Sequence, residues 1–325
     1  MEPSLVWNLE PLKEAIMFVS KRLTFFYSLT PVHMGAGQAL DVIDNPIQRE
    51  RHTEHPNFAG SGIKGAFRHA ARCEWKEPVT NRIFGPERDA SDHAGAVSFT
   101  DAQLVLFPVR SLKGVYVYAT SPLALQRMSR LAALAGVKLD KGALPTPTDK
   151  QAFILNEDLC VSQKETRQLV LESFMFEAVR PTNDGLSPIA RWIAHAILPA
   201  DKTFDYFREK LEKDLVLLSD NQLTYFARNA TTVEPHVRIN DISGTADERG
   251  LFFTENLPPE SVMVSLLMAS AERLKKGSEK PPDYMTADHM IEKVVRTFDK
   301  KALQIGGDAT TGRGQVLVSF LGGNQ

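Results

Sequence analysis

Apolar positions along this chain fall into short runs of differing period, separated by polar stretches with no period at all. RLTFFYSLTPVH at 22–33 is rich in aromatic and β-branched residues and predicts a strand. SGIKGAFRHAARC at 61–73 places Ile63, Ala66, Phe67 and Ala70 on one stripe and predicts a helix, with Ser61 as its N-cap. Strands are expected over 95–109, 115–120 and 316–320, and a helix over 122–137. Segment 165–179 fits either a strand or a helix. Apolar runs at 189–198, 204–218, 260–275 and 287–302 predict helices, with Phe204, Phe207 and Leu211 as core positions at helical spacing. Pro11 can open a short helix carrying Leu12, Ile16 and Val19. Two strand-like runs, 237–242 and 250–253, flank 244–248 and predict a hairpin or arm over 233–253. Stretches 34–60 and 74–94 lack periodicity, and 138–163, with Gly142, Pro145 and Pro147, reads as a surface insertion. The order of elements shows neither a βαβ repeat nor all-β spacing, so the expected class is α+β.

Composition narrows this picture. The 325 residues allow one large domain or two modest ones. Lys+Arg number 38 against Asp+Glu 40, a formal net charge of -2. That balance excludes a uniformly basic surface but leaves room for a local basic groove. Cys73 and Cys160 are the two cysteines, in unlike contexts. They give neither a zinc spacing nor a disulfide framework, which predicts a reducing, cytoplasmic setting. Residues 1–13 lack the order of a signal peptide, and no apolar run is long enough to span a membrane.

Four segments carry candidate chemistry. IGGDATTGRG at 305–314 is glycine-rich and holds Arg313, a composition that suits either a tight connecting turn or backbone amides facing a phosphate. It is not a P-loop, because no Gly-Lys-Ser/Thr leads into a helix. Lys64, Arg68 and Arg72 recur every four residues on one helix face, either as a solvated basic edge or as a phosphate-binding ridge. The loop 33–55 mixes His33, Asp41, Asp44, Gln48, Arg49, Arg51, His52 and His55. Its spacing is poor for zinc, whereas Asp41 and Asp44 suit a loosely held Mg²⁺ with phosphate oxygens completing the shell, or an ordinary solvated loop. His33 reads equally as a buried hydrogen-bonding residue. The 233–253 arm carries Val237, Ile239 and Ile242 among charges, which suits wedging into a partner or a plain edge hairpin.

Taken in order, HMGAG at 33–37, DVIDNPIQRERHT at 41–53, GSGIKGAFRHAAR at 60–72, SFTDAQLVLFPVRSLKGVYVYATSPLALQR at 98–127, RINDISGTADERGLFFTENLP at 238–258 and GGDATTGRG at 306–314 resemble the Cmr4 family. Its members are the repeated backbone subunits of type III-B CRISPR effector (Cmr) complexes, within the RAMP (Cas7-like) superfamily. The resemblance implies a modified ferredoxin-like (RRM-like) fold and one domain over 1–325, with a β-hairpin thumb at about 233–253. It implies partners too: a CRISPR guide RNA, a target RNA, further copies of the chain in a helical filament, and other Cmr subunits. It also implies an endoribonuclease that uses a divalent metal, Mg²⁺ or Mn²⁺, to cut guide-paired target RNA at regular intervals. By motif, Asp44 matches the functional and metal-positioning aspartate. His33, Lys64, Arg68, Gly307, Gly312, Arg313 and Gly314 match RNA-contact positions. Gly62 departs from the serine of many relatives. A scaffold without activity, or a precursor-processing nuclease of the superfamily, are the alternatives.

Overall fold

A computed structural model describes residues 17–39, 42–87, 93–139, 144–163, 166–181, 185–274 and 277–322. The helix expected after Pro11, and Asp41, lie outside these residues. Strand β1 (Ser20–Ser28) opens the described chain, followed by β2 (Asn57–Phe58), α1 (Gly60–Glu74), α2 (Glu77–Phe84), β3 (Val97–Phe99), β4 (Ala102–Arg110), β5 (Tyr116–Thr120) and α3 (Pro122–Leu134). Next come β6 (Gln151–Ile154), β7 (Cys160–Gln163), β8 (Thr166–Leu171), β9 (Phe174–Val179), α4 (Leu186–Ile197), α5 (Asp205–Lys213), β10 (Leu215–Leu217) and α6 (Asp220–Asn229). The chain then forms β11 (Thr232–Ile239), β12 (Ala246–Asn256), β13 (Val262–Ala269), α7 (Ala287–Phe298), β14 (Ala302–Gln304) and β15 (Gln315–Leu321).

All strands except β11 and β12 join one mixed sheet, in the order β14-β15-β1-β13-β4-β5-β10-β6-β9-β8-β7, with β2 and β3 on the side. Its pairs are antiparallel apart from β10 with β5 and β6 with β9. Both faces are covered, and β1 shows why. Phe26 points into a core shared with α1 and α7, whereas Leu23, Phe25 and Tyr27 point into a second core shared with α3 and α4. Phe67 of α1 centres the first core, stacked on Phe99 at 4.7 Å and edge-on to Phe298 at 5.0 Å.

The clearest correction concerns 260–275, expected as a helix. Its centre is β13, paired with β1 on one side and with β3 and β4 on the other. Met263 and Leu267 enter one core, and Val262, Val264 and Leu266 the other. A strand buried on both faces loses the alternation that marks a strand, so its apolar run mimics a buried helix. Three other segments resolve into short elements, the last of them settling between the strand and helix alternatives. Segment 74–94 contains α2, 204–218 divides into α5 and β10, and 165–179 is the hairpin β8–β9. Within 138–163, expected as a surface insertion, β6 and β7 are strands of the main sheet, with Ala152 and Ile154 buried.

A carboxyl, that of Glu260, borders the second core. The Tyr118 hydroxyl lies 3.1 Å from that of Tyr27 and 3.2 Å from that of Tyr116, and it donates to Glu260 Oε2 at 3.3 Å. Burial pushes the Glu260 carboxyl up to about 7. The folded chain therefore keeps a proton that the unfolded chain releases near 4.5, and stability falls as pH rises between those values. Glu260→Gln should remove this slope. Urea midpoints of variant and parent should coincide near pH 4, and at pH 8 the variant should be more stable by on the order of 2 kcal/mol.

Candidate nucleic-acid interface

Segments distant in sequence meet at the foot of the β11–β12 hairpin. Val32 exchanges two 2.9 Å backbone hydrogen bonds with Leu257, which follows β12. Next to it, His33 Nδ1 donates to the Glu255 carbonyl at 2.7 Å, leaving Nε2 as the acceptor nitrogen. The His33 carbonyl in turn accepts the Gly307 amide at 2.9 Å, and the Pro31 carbonyl accepts that of Gly314 at 2.8 Å. Gly306 and Gly314 have φ of 78° and 79°. A Cβ at Gly306 would overlap the His33 carbonyl, and one at Gly314 the Ile305 carbonyl. The terminal loop is glycine-rich because it docks closely on residues 31–34.

Of the two arrangements that the loop's composition suits, Gly307, Gly312 and Gly314 form the tight connecting turn. Each amide has an internal partner, the third being the Ala309 carbonyl for Gly312. Arg313 is also engaged: its guanidinium pairs with Glu234 of β11. The loop therefore grips the hairpin as well as the His33 segment.

Asp44 stands in the same cluster. Its Oδ2 accepts the Phe253 amide of β12 at 2.7 Å, and its carbonyl accepts the Ala39 amide at 2.9 Å. Asn45 continues the contact, donating to the Phe253 carbonyl and accepting the Glu255 amide, both at 3.0 Å. Among the described residues, Asp44 Oδ1 has no hydrogen-bond partner. No group of three or more His, Cys, Asp or Glu among those residues is arranged to hold a metal. A single carboxylate oxygen nevertheless fits a Mg²⁺-type ion, which keeps most of its waters and completes its shell with substrate phosphates.

Sequence reasoning passed over Glu255. Buried at 3% exposure, it pairs with Arg49, takes the Thr231 hydroxyl at 2.7 Å through Oε1, and takes the Ile47 amide at 3.0 Å through Oε2. The signal was present: on a strand, Glu255 shares a face with Phe253 and Leu257, so period two points it inward.

The basic face of α1 divides. Helix α1 begins at Gly60, one residue before the expected Ser61 cap, and the Gly60 amide is capped from across the fold by Asp101 Oδ1 at 2.7 Å. Arg68 turns inward to the Gly85 carbonyl and to Asn81 Oδ1 at 2.9 Å, so it fastens the end of α2. Arg72 pairs with Glu87. Lys64 has no such partner among the described residues. Burial lowers its ammonium pKa, and Arg273 and Arg68 lower it further by repulsion. A Cβ at Gly62 would meet Met34 of the His33 segment, but two helix positions are about 200° apart, so Lys64 faces another side of α1.

A family model described as the RAMP superfamily matches residues 25–317. The CRISPR system Cmr endoribonuclease Cmr4 of Pyrococcus furiosus is 34% identical over 301 residues, covering 92% of this chain and 95% of that protein. The solved structure of oligomeric Cmr4 from Pyrococcus furiosus aligns with a TM-score of 0.70 and 29% identity, covering 94% of this chain and 100% of that one. A chain of the type III-B Cmr-beta complex bound to cognate target RNA shares the fold, with a TM-score of 0.67 at 18% identity over 94% of this chain and 98% of that one.

Two substitutions separate the roles assigned here. Arg313→Ala should loosen the hairpin, speeding amide exchange in β11 about tenfold, the equivalent of ~1.4 kcal/mol for one charged hydrogen bond. Lys64→Ala should leave the melting temperature unchanged or higher, because it removes a repelled charge. If Lys64 holds RNA phosphate, the same variant weakens RNA retention for all sequences alike and lowers the salt slope by about one.

Proposed function

The chain belongs to the RAMP superfamily, and from that membership we propose that it is a guide-RNA-binding backbone subunit of a type III-B CRISPR (Cmr) complex that cuts complementary target RNA at regular intervals. In this reading the chain is one Cas7-like domain with a ferredoxin-like core, working in the cytoplasm. Copies stack in a filament along the guide beside other Cmr subunits, and the β11–β12 hairpin is the thumb that reaches the guide–target duplex. The observation that carries the proposal is the meeting of His33, Asp44 and the 306–314 loop at the foot of that hairpin. Support for the thumb comes from its tip, where Ile242 is 99% exposed, and from Val237, Ile239 and Leu251, which are exposed along its length.

RNA carries its own nucleophile, the 2′-OH, so a ribonuclease must align it with the adjacent phosphorus and stabilise the charge that develops. Asp44 fits the positioning part. Its Oδ2 accepts the Phe253 amide of β12, a bond that restrains the carboxylate and leaves Oδ1 for a further partner. Asp44 Oδ1 would be the protein's ligand to a divalent ion, which would supply Lewis-acid polarisation at the scissile phosphate. His33, fixed through Nδ1, offers Nε2 as a hydrogen-bond acceptor to RNA.

One observation favours a second reading, a scaffold without activity: the Asp44 carboxylate already has a structural bond to Phe253. Asp44→Asn separates the two, because its amide oxygen keeps that bond while the charge is lost. In an assembled complex, Asp44→Asn and Asp44→Ala should both bind target RNA and lose cutting by at least about a hundredfold, the scale of a removed electrostatic group. EDTA should have the same effect on the parent complex. Full cutting by Asp44→Asn assigns the residue to the scaffold.

A further inference from the structure

The β11–β12 hairpin returns to the main sheet through residues 257–260. Leu257 is the end bonded to Val32, next to His33. Pro258 and Pro259 follow, each with φ fixed by its ring and with no amide to donate, so the pair transmits a displacement rather than absorbing it. The placement of this segment therefore rests on Glu260. Its amide donates to the Ser28 carbonyl at 2.8 Å, where β1 ends. Its φ of 68° is a left-handed conformation that a residue with a Cβ adopts when its surroundings hold it there.

What holds Glu260 is its side chain. The Tyr118 hydroxyl gives its one proton to Glu260 Oε2, and so it accepts from the hydroxyls of Tyr27 and Tyr116. The groups facing the carboxyl are these tyrosines of β1 and β5. Behind them stand Tyr206 and Lys210 of α5 and Asp214 before β10. Lys210 lies over the Tyr116 ring at 4.5 Å, but its ammonium is bonded to Asp214 at 2.6 Å. No cation among the described residues pairs with Glu260. A neutral carboxyl is at ease beside Tyr118, whereas an ionised one has lost water without gaining a counter-charge. We infer that Glu260 is a positioning residue: its protonated carboxyl latches the foot of the hairpin to Tyr118, and its ionisation releases residues 257–260 and with them the alignment of His33 and Asp44. Because burial pushes this carboxyl up to about 7, the latch is closed near pH 6 and opens as pH rises through 7. This inference rests on the reading of His33 and Asp44 given above.

The test uses the assembled complex with saturating guide-paired target RNA, so that the single-turnover rate reports alignment and not binding. Glu260→Gln keeps an oxygen that accepts from Tyr118 and cannot ionise. Taking the ratio of variant to parent cancels the pH dependence of the cutting chemistry itself. That ratio should stay near one at about pH 6 and reach about tenfold at about pH 8.5, the equivalent of one pKa unit, with its midpoint at about 7. Amide exchange of Val32 and Leu257 gives a second readout that needs no cutting. The parent should exchange about tenfold faster than the variant at the higher pH and equally at the lower one. An exchange ratio that does not change with pH overturns the latch. A pH-dependent exchange ratio with a flat cutting ratio, in a complex that Asp44→Asn silences, overturns the positioning role. If Asp44→Asn cuts normally, the positioning role falls with the Asp44 reading, and the exchange ratio still decides the latch.

Discussion

A carboxylate buried beneath the surface holds this region together. Leaving an ionised acid at the depth of Glu255 costs several kcal/mol unless its charge is paired and both oxygens are bonded. Here Arg49, the Thr231 hydroxyl and the Ile47 amide meet that demand. The backbone of Glu255 adds two links, receiving His33 Nδ1 on its carbonyl and donating its amide to Asn45. One residue thus joins the segment after β1, the loop before β2, the approach to β11 and the end of β12. Arg49 extends the network to the C-terminus of α6 through the carbonyls of Ala227 and Arg228. Removing either partner leaves a buried charge alone, which is why the arrangement tolerates little change.

The loop 33–55 needs such a network because it has almost no regular structure of its own. Its backbone groups are satisfied by isolated bridges, Gly35 with Ile47, Asn45 with Thr254 and Arg49 with Pro56. Bonds of that kind fix a side chain as firmly as a strand does, provided the anchors are buried. Asp44 benefits directly, since its Oδ2 is held by a strand whose next residues are tied down through Glu255. The hairpin is tied down at its foot, where Arg313 grips Glu234, and exposed at its tip around Ile242.

Some of this was legible in the sequence. The strand at β1, helix α1, the hairpin and the final strand announce themselves through aromatic and β-branched runs, a helical stripe and turn residues. β13 did not, because burial on both faces erases the alternation that would have identified it. Helix α2 has eight residues, too few for a period to stand out. At the site, the motifs singled out His33, Asp44 and the terminal glycines, and the fold brings them together. What they did not reveal was the partner of each group. Arg68 finds Asn81 thirteen residues away, and Arg313 finds Glu234 seventy-nine residues away. Glycine patterns carry the same ambiguity, since an amide facing a phosphate and one facing the Pro31 carbonyl require the same backbone freedom.

Under the proposed function, those partners bear on how a chain of formal charge -2 would meet RNA. Its basic residues divide by what already satisfies them. Arg49, Arg127 and Arg313 pair with acids that are themselves wholly or largely shielded from water, and a phosphate arriving from solvent would have to break bonds formed at low dielectric. Those arginines build the frame. Lys64 and Arg228 have no acid of their own among the described residues, and Lys64 is held close to two like charges. An anion loses nothing by approaching them, and at Lys64 it relieves repulsion already present in the fold. A few unmatched cations can therefore select a polyanion where a larger number of matched ones cannot.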